Sequence, residues 1–164
     1  RELDAALSHF ADVVSRTNGV DVRHVPGGGA AGGIAAGFLS LAGARLVPGA
    51  ELVLGVIGFE QRLEGASLVV TGEGKLDRQT LAGKAPYAVA NGAWERGIPV
   101  AAVAGSVDLR ADDLERLHVA AAEALDAGGI TLDEAMRRAP ELTADAAERA
   151  ARSIVNVLGR AQLG

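Results

Sequence analysis

The stretch that decides the fold is Ser67-Leu-Val-Val-Thr-Gly-Glu-Gly-Lys-Leu-Asp-Arg-Gln-Thr-Leu-Ala-Gly-Lys84, followed by a second apolar run, Ile98-Pro-Val-Ala-Ala-Val-Ala104. Each apolar run is short and stops at a glycine, which is the pattern of a strand buried on both faces of a parallel sheet. Residues 85–96 between them predict a helix, because Pro86 stands at an N1 position and Gly97 at a C′ position. Strand, helix and strand together predict one right-handed βαβ unit.

Working outward, helical and extended patterns alternate along the rest of the chain. Further helices are predicted over residues 2–16, from about 34 to 42, and over 50–57, 112–117, 131–138 and 141–158. Residues 118–122 predict another strand, and 21–25 predict a short strand or an extended approach to the glycines that follow. This alternation predicts the α/β class, with a parallel, Rossmann-like sheet flanked by helices.

Composition excludes several classes of protein. The 164 residues carry 16 Lys and Arg against 21 Asp and Glu, a net charge of −5, which argues against nucleic-acid binding. A hydrophobic content of 49% is enough for a core, and no apolar run reaches the roughly 18 residues of a membrane span. The absence of cysteine removes disulfides and thiolate chemistry and fits a cytoplasmic protein.

The start of the chain, Arg1-Glu-Leu-Asp4, is charged and lacks an initiator methionine and a signal-peptide core. We therefore expect the sequence to be a piece of a longer protein.

The segment after the first predicted strand is the strongest candidate site. In an open parallel sheet, ligands bind beyond the carboxyl ends of the strands. The predicted loop 72–84 places acids and cations there among glycines: Gly72, Glu73, Gly74, Lys75, Asp77, Arg78, Gln79, Thr80 and Lys84. The cations suit phosphoryl oxygens, a carboxylate suits Mg²⁺, and the free N–H groups of the next helix add an anion contact. The alternative is a solvated loop with internal ion pairs.

A second glycine cluster, Pro26-Gly-Gly-Gly-Ala-Ala-Gly-Gly33, is harder to interpret. Gly27, Gly29 and Gly32 match the G-x-G-x-x-G dinucleotide fingerprint, and Glu51 lies near its acidic offset. Such a match arises easily in a run of glycine and alanine, and the strand before it is poorly defined. The more modest interpretation is a loop whose missing side chains let a ligand or a helix approach the backbone.

Two smaller features complete the candidates. Gly105-Ser106 follows the second strand and could present a hydroxyl or a backbone N–H to the same crevice, or be only a turn. The three histidines are too scattered for a metal site; His24, beside the glycine cluster, is the one worth testing, whereas His118 is expected to be a packed strand residue.

Three segments together resemble the bacterial class I glycerate kinase family. They are Val25-Pro-Gly-Gly-Gly-Ala-Ala-Gly-Gly-Ile34, Pro48-Gly-Ala-Glu-Leu-Val-Leu54 and Val70-Thr-Gly-Glu-Gly-Lys-Leu-Asp-Arg-Gln-Thr-Leu-Ala-Gly-Lys-Ala-Pro86. The resemblance runs from about residue 3 to about 107 and fades in the last third. Lys75 stands where that family frequently has arginine, which keeps the charge but loses a bidentate fork.

The resemblance implies ATP- and Mg²⁺-dependent phosphorylation of D-glycerate, giving 2-phosphoglycerate in many bacterial members. It implies two α/β domains, one inserted in the other, with the active site in the cleft between them. Residues 1–60 would then be the end of the inserted domain and 61–164 the C-terminal part of the Rossmann-like domain. The chain would be a C-terminal portion without the N-terminal half, inactive by itself. Whether the protein forms a homodimer stays open.

Residue chemistry, placed in the family's motif, gives a set of expected roles. Glu73 and Asp77 would hold Mg²⁺ or orient the hydroxyl, while Lys75 and Lys84 would neutralise the transferring phosphoryl group. The expected substrate and nucleotide contacts are Gly27, Gly28, Gly29, Gly72, Gly74, Arg78, Gln79, Thr80, Gly105 and Ser106. The rival hypothesis is an α/β module that binds a small molecule or nucleotide without catalysis. An NAD-dependent oxidoreductase rests on the glycine fingerprint alone.

Overall fold

The chain folds into two compact units in a computed structural model, Arg1–Pro48 and Gly49–Gly164. The structure describes residues 1–125 and 129–161, with side chains up to 156. Each unit is described by itself below. The expected domain boundary near residue 60 concerns the longer protein and stays a prediction.

The first unit is a pair of helices with a small core. Helix α1 spans Glu2–Asn18 and ends at Gly19, whose φ of 71° is the left-handed conformation of a C-terminal cap. Helix α2 spans Ala30–Ala42, but its backbone is left-handed at Ala31, Gly32 and Gly33, so the regular helix begins after Gly33. Both helices were predicted. Ala11, Val22 and Ala36 form the buried core between them.

Residues 21–25 were expected to form a short strand or an extended approach; they form no strand, and the chain turns at residues 23–25. The N–H of Val25 donates to the carbonyl oxygen of Val22 at 3.3 Å, and no strand of the described first unit is available to pair with it. Arg23 instead lies between two carboxylates, 2.8 Å from Asp21 and 3.0 Å from Asp12. Hydrogen bonds from Arg23 hold the pKa of Asp21 well below its usual range.

The second unit is a three-stranded parallel sheet with helices on both faces, in the spatial order β1-β2-β3. Its elements in chain order are α3 Gly49–Val56, α4 Phe59–Arg62, β1 Val69–Leu76, a 3₁₀ turn Thr80–Ala82, α5 Ala85–Trp94, β2 Val100–Val107, α6 Ala111–Arg116, β3 Ala121–Ala124, α7 Leu132–Arg137 and α8 Ala139–Ala161. The predicted α/β class and the βαβ unit are confirmed. Thr131 caps α7, its hydroxyl oxygen accepting from the N–H of Glu134 at 3.3 Å.

The central strand β2 divides the core of this unit into two layers. Val100, Ala102 and Ala104 pack on the face that holds Ala90 and Ala93 of α5. Ala101 points to the other face and packs with Ala150 and Ile154 of α8. Alternate residues of a strand face opposite sides, so a run of small apolar residues lets helices approach both faces closely.

Strands β1 and β2 both extend beyond the apolar runs that predicted them. Strand β1 continues through Gly72 to Leu76 and remains paired with β2, so the first half of the predicted loop 72–84 is strand. Strand β2 likewise passes Gly105 and ends at Val107. β1 is also an edge strand in the described sheet and leaves Val70 half exposed, so the expected burial on both faces holds for β2 but is wrong for β1.

Glycine is required at two places where these strands approach each other. A Cβ at Gly72 would collide with the carbonyl oxygen of Val103, its partner in the register. A Cβ at Gly105 would lie 2.6 Å from the carbonyl oxygen of Gly74. A glycine inside a strand often marks such a close backbone approach, and the side-chain pattern alone hid it here.

Strand β3 begins later than predicted, at Ala121, and His118 lies in the turn before it with a φ of 58°. The His118 ring stacks on Trp94 at the end of α5, with ring centroids 4.1 Å apart and planes 12° from parallel. The expectation that His118 begins a strand is therefore wrong, although its expected packing role agrees with the stack. Among the described residues, no helix is long and apolar enough to span a bilayer.

We expect Gly72→Ala to lower the free energy of unfolding by about 1–3 kcal/mol, because the new methyl group overlaps the β2 backbone. Gly74→Ala is the matched control on the same strand, since nothing lies within 4 Å of its added Cβ. Urea unfolding of both variants makes the comparison. Equal midpoints would show that the approach of β1 to β2 does not require glycine.

Candidate active site

A cavity of about 430 Å³ lies where β1 and β2 end side by side. Its walls come from the segment after β1 and the segment after β2, which the parallel pairing brings to the same edge of the sheet. The N–H of Asp108 donates to the carbonyl oxygen of Leu76 at 2.8 Å and continues the pairing to the cavity floor. The lining residues are Asp77, Arg78, Gln79, Val107, Asp108, Leu109, Arg110 and Asp113.

The motif loop proper is the short segment from Asp77 to Lys84. The N–H of Gln79 donates to Oδ1 of Asp77 at 2.9 Å, which forms a local turn. A 3₁₀ turn follows, and Gly83 leaves it with a φ of 99°. Lys84 then caps α5 in an extended conformation, so its side chain departs from the start of that helix. The loop is therefore held by its own hydrogen bonds.

The Glu73 carboxylate contacts two side chains of this loop. The Thr80 hydroxyl donates to Oε1 of Glu73 over 2.6 Å, and Nζ of Lys84 lies 3.5 Å from the same oxygen. Thr80 is fully buried, whereas the Glu73 side chain keeps 16% of its surface exposed. The three residues thus form one network beside the cavity, with a carboxylate between a hydroxyl and an ammonium group.

Two further ion pairs join the β1 side of the site to the β2 side. Nζ of Lys75 lies 3.5 Å from Oδ2 of Asp108, and both side chains are exposed. Nε of Arg78 lies 3.7 Å from Oδ2 of Asp113, whose side chain is only 3% exposed. The exposed Lys75–Asp108 pair contributes little stability. The consequence of both pairs is the placement of two cations at the carboxyl edge of the sheet.

Sequence reasoning missed Asp108, Arg110 and Asp113. Asp113 is the most unusual of them: Oδ2 accepts from the N–H of Arg110 at 3.4 Å, while Oδ1 is buried without a hydrogen-bond partner among the described residues. An acid three residues into a helix is a recognised capping signal and could have drawn attention to it. Its pairing with Arg78 was not visible, because Arg78 lies in the loop after β1 and Asp113 in helix α6.

The predicted site residues fall into five groups. Asp77, Arg78 and Gln79 line the cavity, and Glu73, Thr80 and Lys84 form the network beside it. Lys75 reaches Asp108, and Ser106 is its backbone partner in the register. Gly72, Gly74 and Gly105 belong to the paired strands. The remaining three glycines lie in the first unit.

The glycine cluster of the first unit serves the packing of that unit. The N–H of Gly28 donates to Val25 at 2.9 Å, and its carbonyl oxygen accepts from Ala36 at 3.0 Å, so the backbone groups of this buried residue are already paired. Gly27 and Gly29 are exposed. No strand precedes the cluster in residues 1–29, so the strand-to-helix turn that the dinucleotide fingerprint needs is missing there. His24, beside it, is exposed.

The donor set of the cavity fits a magnesium–phosphate ligand. Among the residues that the structure describes, no group of three or more acidic or histidine side chains could hold a metal ion. Protein-bound Mg²⁺, however, commonly takes only one or two carboxylates and completes its shell with water and phosphate oxygens. Asp77 and Asp108 could supply such carboxylates, and Arg78 and Arg110 could face phosphate oxygens.

The fold and cavity define an α/β domain with a polar ligand site at the carboxyl edge of its parallel sheet. A model of the glycerate kinase family matches residues 1–155, and the chain belongs to this family. The match extends well beyond residue 107, so the expectation that the resemblance fades in the last third is wrong. Which portion of the longer protein the chain represents stays a prediction.

Relatives with known names agree with this assignment. The chain is 41% identical over 157 residues to a glycerate kinase of Halalkalibacterium halodurans, covering 96% of this chain and 40% of that protein. It is 42% identical over 142 residues to a glycerate 2-kinase of Escherichia coli, covering 84% and 36%. A crystal structure described as that of a glycerate kinase 2 from Salmonella typhimurium LT2 superposes with a TM-score of 0.69 at 36% identity, over 94% of this chain and 40% of that one. The chain thus spans about two fifths of the length of the relatives it matches.

We expect pyrophosphate to bind in the cavity and Arg110→Ala to weaken that binding about tenfold, the usual effect of losing one charge-assisted hydrogen bond. Arg116→Ala removes an exposed arginine of α6, the helix that Arg110 precedes; Arg116 does not line the cavity, so this variant serves as the control. Calorimetric titration of both variants tests the assignment. Equal loss in the two variants would mean that pyrophosphate responds only to net charge.

Proposed function

We propose that this chain supplies the phosphoryl-transfer side of a bacterial class I glycerate kinase, which moves the γ-phosphoryl group of ATP to D-glycerate and gives 2-phosphoglycerate. The observation that carries the proposal is the cavity at the carboxyl edge of the sheet, lined by Asp77, Arg78 and Gln79 of the family motif. The relatives named as glycerate kinases support the substrate. The cytoplasmic location expected from the cysteine-free sequence belongs to the same proposal.

The residues of the site suit this reaction because phosphoryl transfer is mostly positioning and charge stabilisation. Arg78 and Arg110 face the cavity, where their guanidinium groups can bind phosphoryl oxygens in pairs of hydrogen bonds. Lys75 and Lys84 add compact positive charges at its edge, each held near an acid at 3.5 Å. The site thus offers cations already in place before a ligand binds.

Asp77 is the residue we assign to the acceptor hydroxyl. It lines the cavity at the end of β1, and its turn with Gln79 fixes the carboxylate without burying it completely. A carboxylate there can orient the glycerate hydroxyl and accept its proton. Mg²⁺, when bound by Asp77 or Asp108, would neutralise charge on the phosphates. Glu73, committed to Thr80 and Lys84, fits a role in holding Lys84 in addition to the metal role expected from the sequence.

We expect Asp77→Asn to lower kcat about a hundredfold or more while leaving folding intact, because the amide keeps the acceptor for the N–H of Gln79 but loses the charge and the basic oxygen. The enzyme for this test is a family-length chimera, in which these residues replace the matching segment of the Halalkalibacterium glycerate kinase. A coupled ADP-release assay measures turnover. Asp112→Asn is the exposed control, and unchanged turnover in Asp77→Asn would remove Asp77 from the site.

The 164-residue chain alone is expected to bind Mg²⁺–ATP or D-glycerate but to turn over little glycerate, because it spans only two fifths of its relatives. Calorimetry with Mg²⁺–ATP, glycerate and NAD, beside the same coupled assay, tests both statements. Binding of NAD alone would contradict the kinase assignment. Ligand binding by the chain, with an inactive chimera, would favour the non-catalytic binding module. A homodimer remains an open expectation that these experiments do not address.

A further inference from the structure

The hydroxyl of Thr80 is buried and makes two hydrogen bonds. It donates to Oε1 of Glu73 over 2.6 Å and accepts from the N–H of Asp77 over 3.3 Å. No part of the Thr80 side chain is exposed. A hydroxyl has one proton to donate, and this proton is committed to Glu73. The direct ligand contact expected of Thr80 from the sequence is therefore not what this geometry favours.

The hydrogen bond from the Thr80 hydroxyl to the Glu73 carboxylate belongs to the strong, charge-assisted class. Its acceptor is a carboxylate, its length is at the short end for an O–H donor, and its donor side is shielded from water. Lys84 approaches the same oxygen at 3.5 Å from the exposed side. A glutamate side chain has three rotatable bonds, and these two contacts fix the end of it in one place.

We propose that Thr80 is a positioning residue, which sets the orientation of Glu73 and, through Glu73, the position of the Lys84 ammonium group at the start of α5. The proposal rests on the proposed function, in which Lys84 neutralises the transferring phosphoryl group. It differs from a purely structural role, in which Thr80 only closes the turn by accepting from the Asp77 N–H. The two roles respond differently to the removal of Glu73.

A double-mutant cycle distinguishes the positioning role of Thr80 from the purely structural role. Thr80→Val removes the hydroxyl at nearly constant shape, and Glu73→Gln weakens its acceptor. The contact with the Asp77 N–H is lost in every Thr80→Val protein, so it cancels in the cycle. Thr80→Ser keeps a hydroxyl and is the rescue variant. Thr71→Val, a half-buried threonine on β1, is the matched control for losing a hydroxyl elsewhere on that strand.

The first arm of the experiment measures urea unfolding of the 164-residue chain. We expect Thr80→Val to lower the midpoint, and this shift to fall by half or more in the Glu73→Gln background. Equal shifts in both backgrounds would show that Thr80 and Glu73 are not coupled and would overturn the proposal. If Thr80→Val does not fold, Thr80→Ala replaces it, since the smaller side chain cannot overfill the site.

The second arm measures turnover of the family-length chimera. We expect Thr80→Val to lower kcat tenfold or more with the KM for ATP and glycerate within twofold, and Thr80→Ser to recover most of the loss. In the Glu73→Gln background, Thr80→Val should cost less than twofold further. The positioning role would be overturned if Thr80→Val lowered kcat by the same factor in the wild-type and Glu73→Gln backgrounds. It would also be overturned if the Thr80→Ser enzyme were as slow as Thr80→Val. A wild-type chimera that does not phosphorylate glycerate would overturn the proposed function, while the urea cycle would still decide the coupling.

Discussion

The close approach of two backbones holds the second unit and its site together. At Gly72 and Gly105, strands β1 and β2 lie so near each other that a methyl group on either would meet a carbonyl oxygen of the neighbouring strand. This contact extends the pairing of the two strands beyond their apolar runs, to Leu76 and Val107. Because the strands remain paired to the end, the segments that follow them start from fixed positions, and the cavity forms between those segments.

Ion pairs hold the charged side chains of the site in place. Three cations of the motif, Lys75, Arg78 and Lys84, each lie within 4 Å of a different carboxylate. An isolated lysine or arginine at a surface samples many rotamers, and ordering it upon ligand binding costs entropy. Paired cations have lost part of that freedom already. The acids of this site therefore help to hold its cations in place; Glu73 lies on β1, Asp108 follows β2 and Asp113 lies in α6.

The sequence predicted the elements whose contacts lie between neighbours along the chain, and it did not predict those that depend on a distant partner. The parallel sheet, the motif and the helices other than α4 were predictable because apolar spacing, Pro86 and Gly97 act on their neighbours along the chain. The true ends of β1 and β2 were not, since a glycine in a strand and a glycine in a loop look alike until the partner strand is known. Asp113 was missed because its partner, Arg78, lies 35 residues earlier in the chain, in the loop after β1. Thr80 was selected for its polar side chain, but its burial and its bond to Glu73 depend on the fold and could not be predicted from the sequence.

The stack of Trp94 on His118 makes tryptophan fluorescence an intrinsic probe of the second unit. Trp94 is the single tryptophan of the chain, and the ring beside it belongs to the turn that leads into β3. Its emission depends on that neighbouring imidazole and on the half-open setting at the end of α5. A fluorescence trace of unfolding therefore reports when α5 separates from the turn before β3, and it carries no tryptophan signal from the first 48 residues.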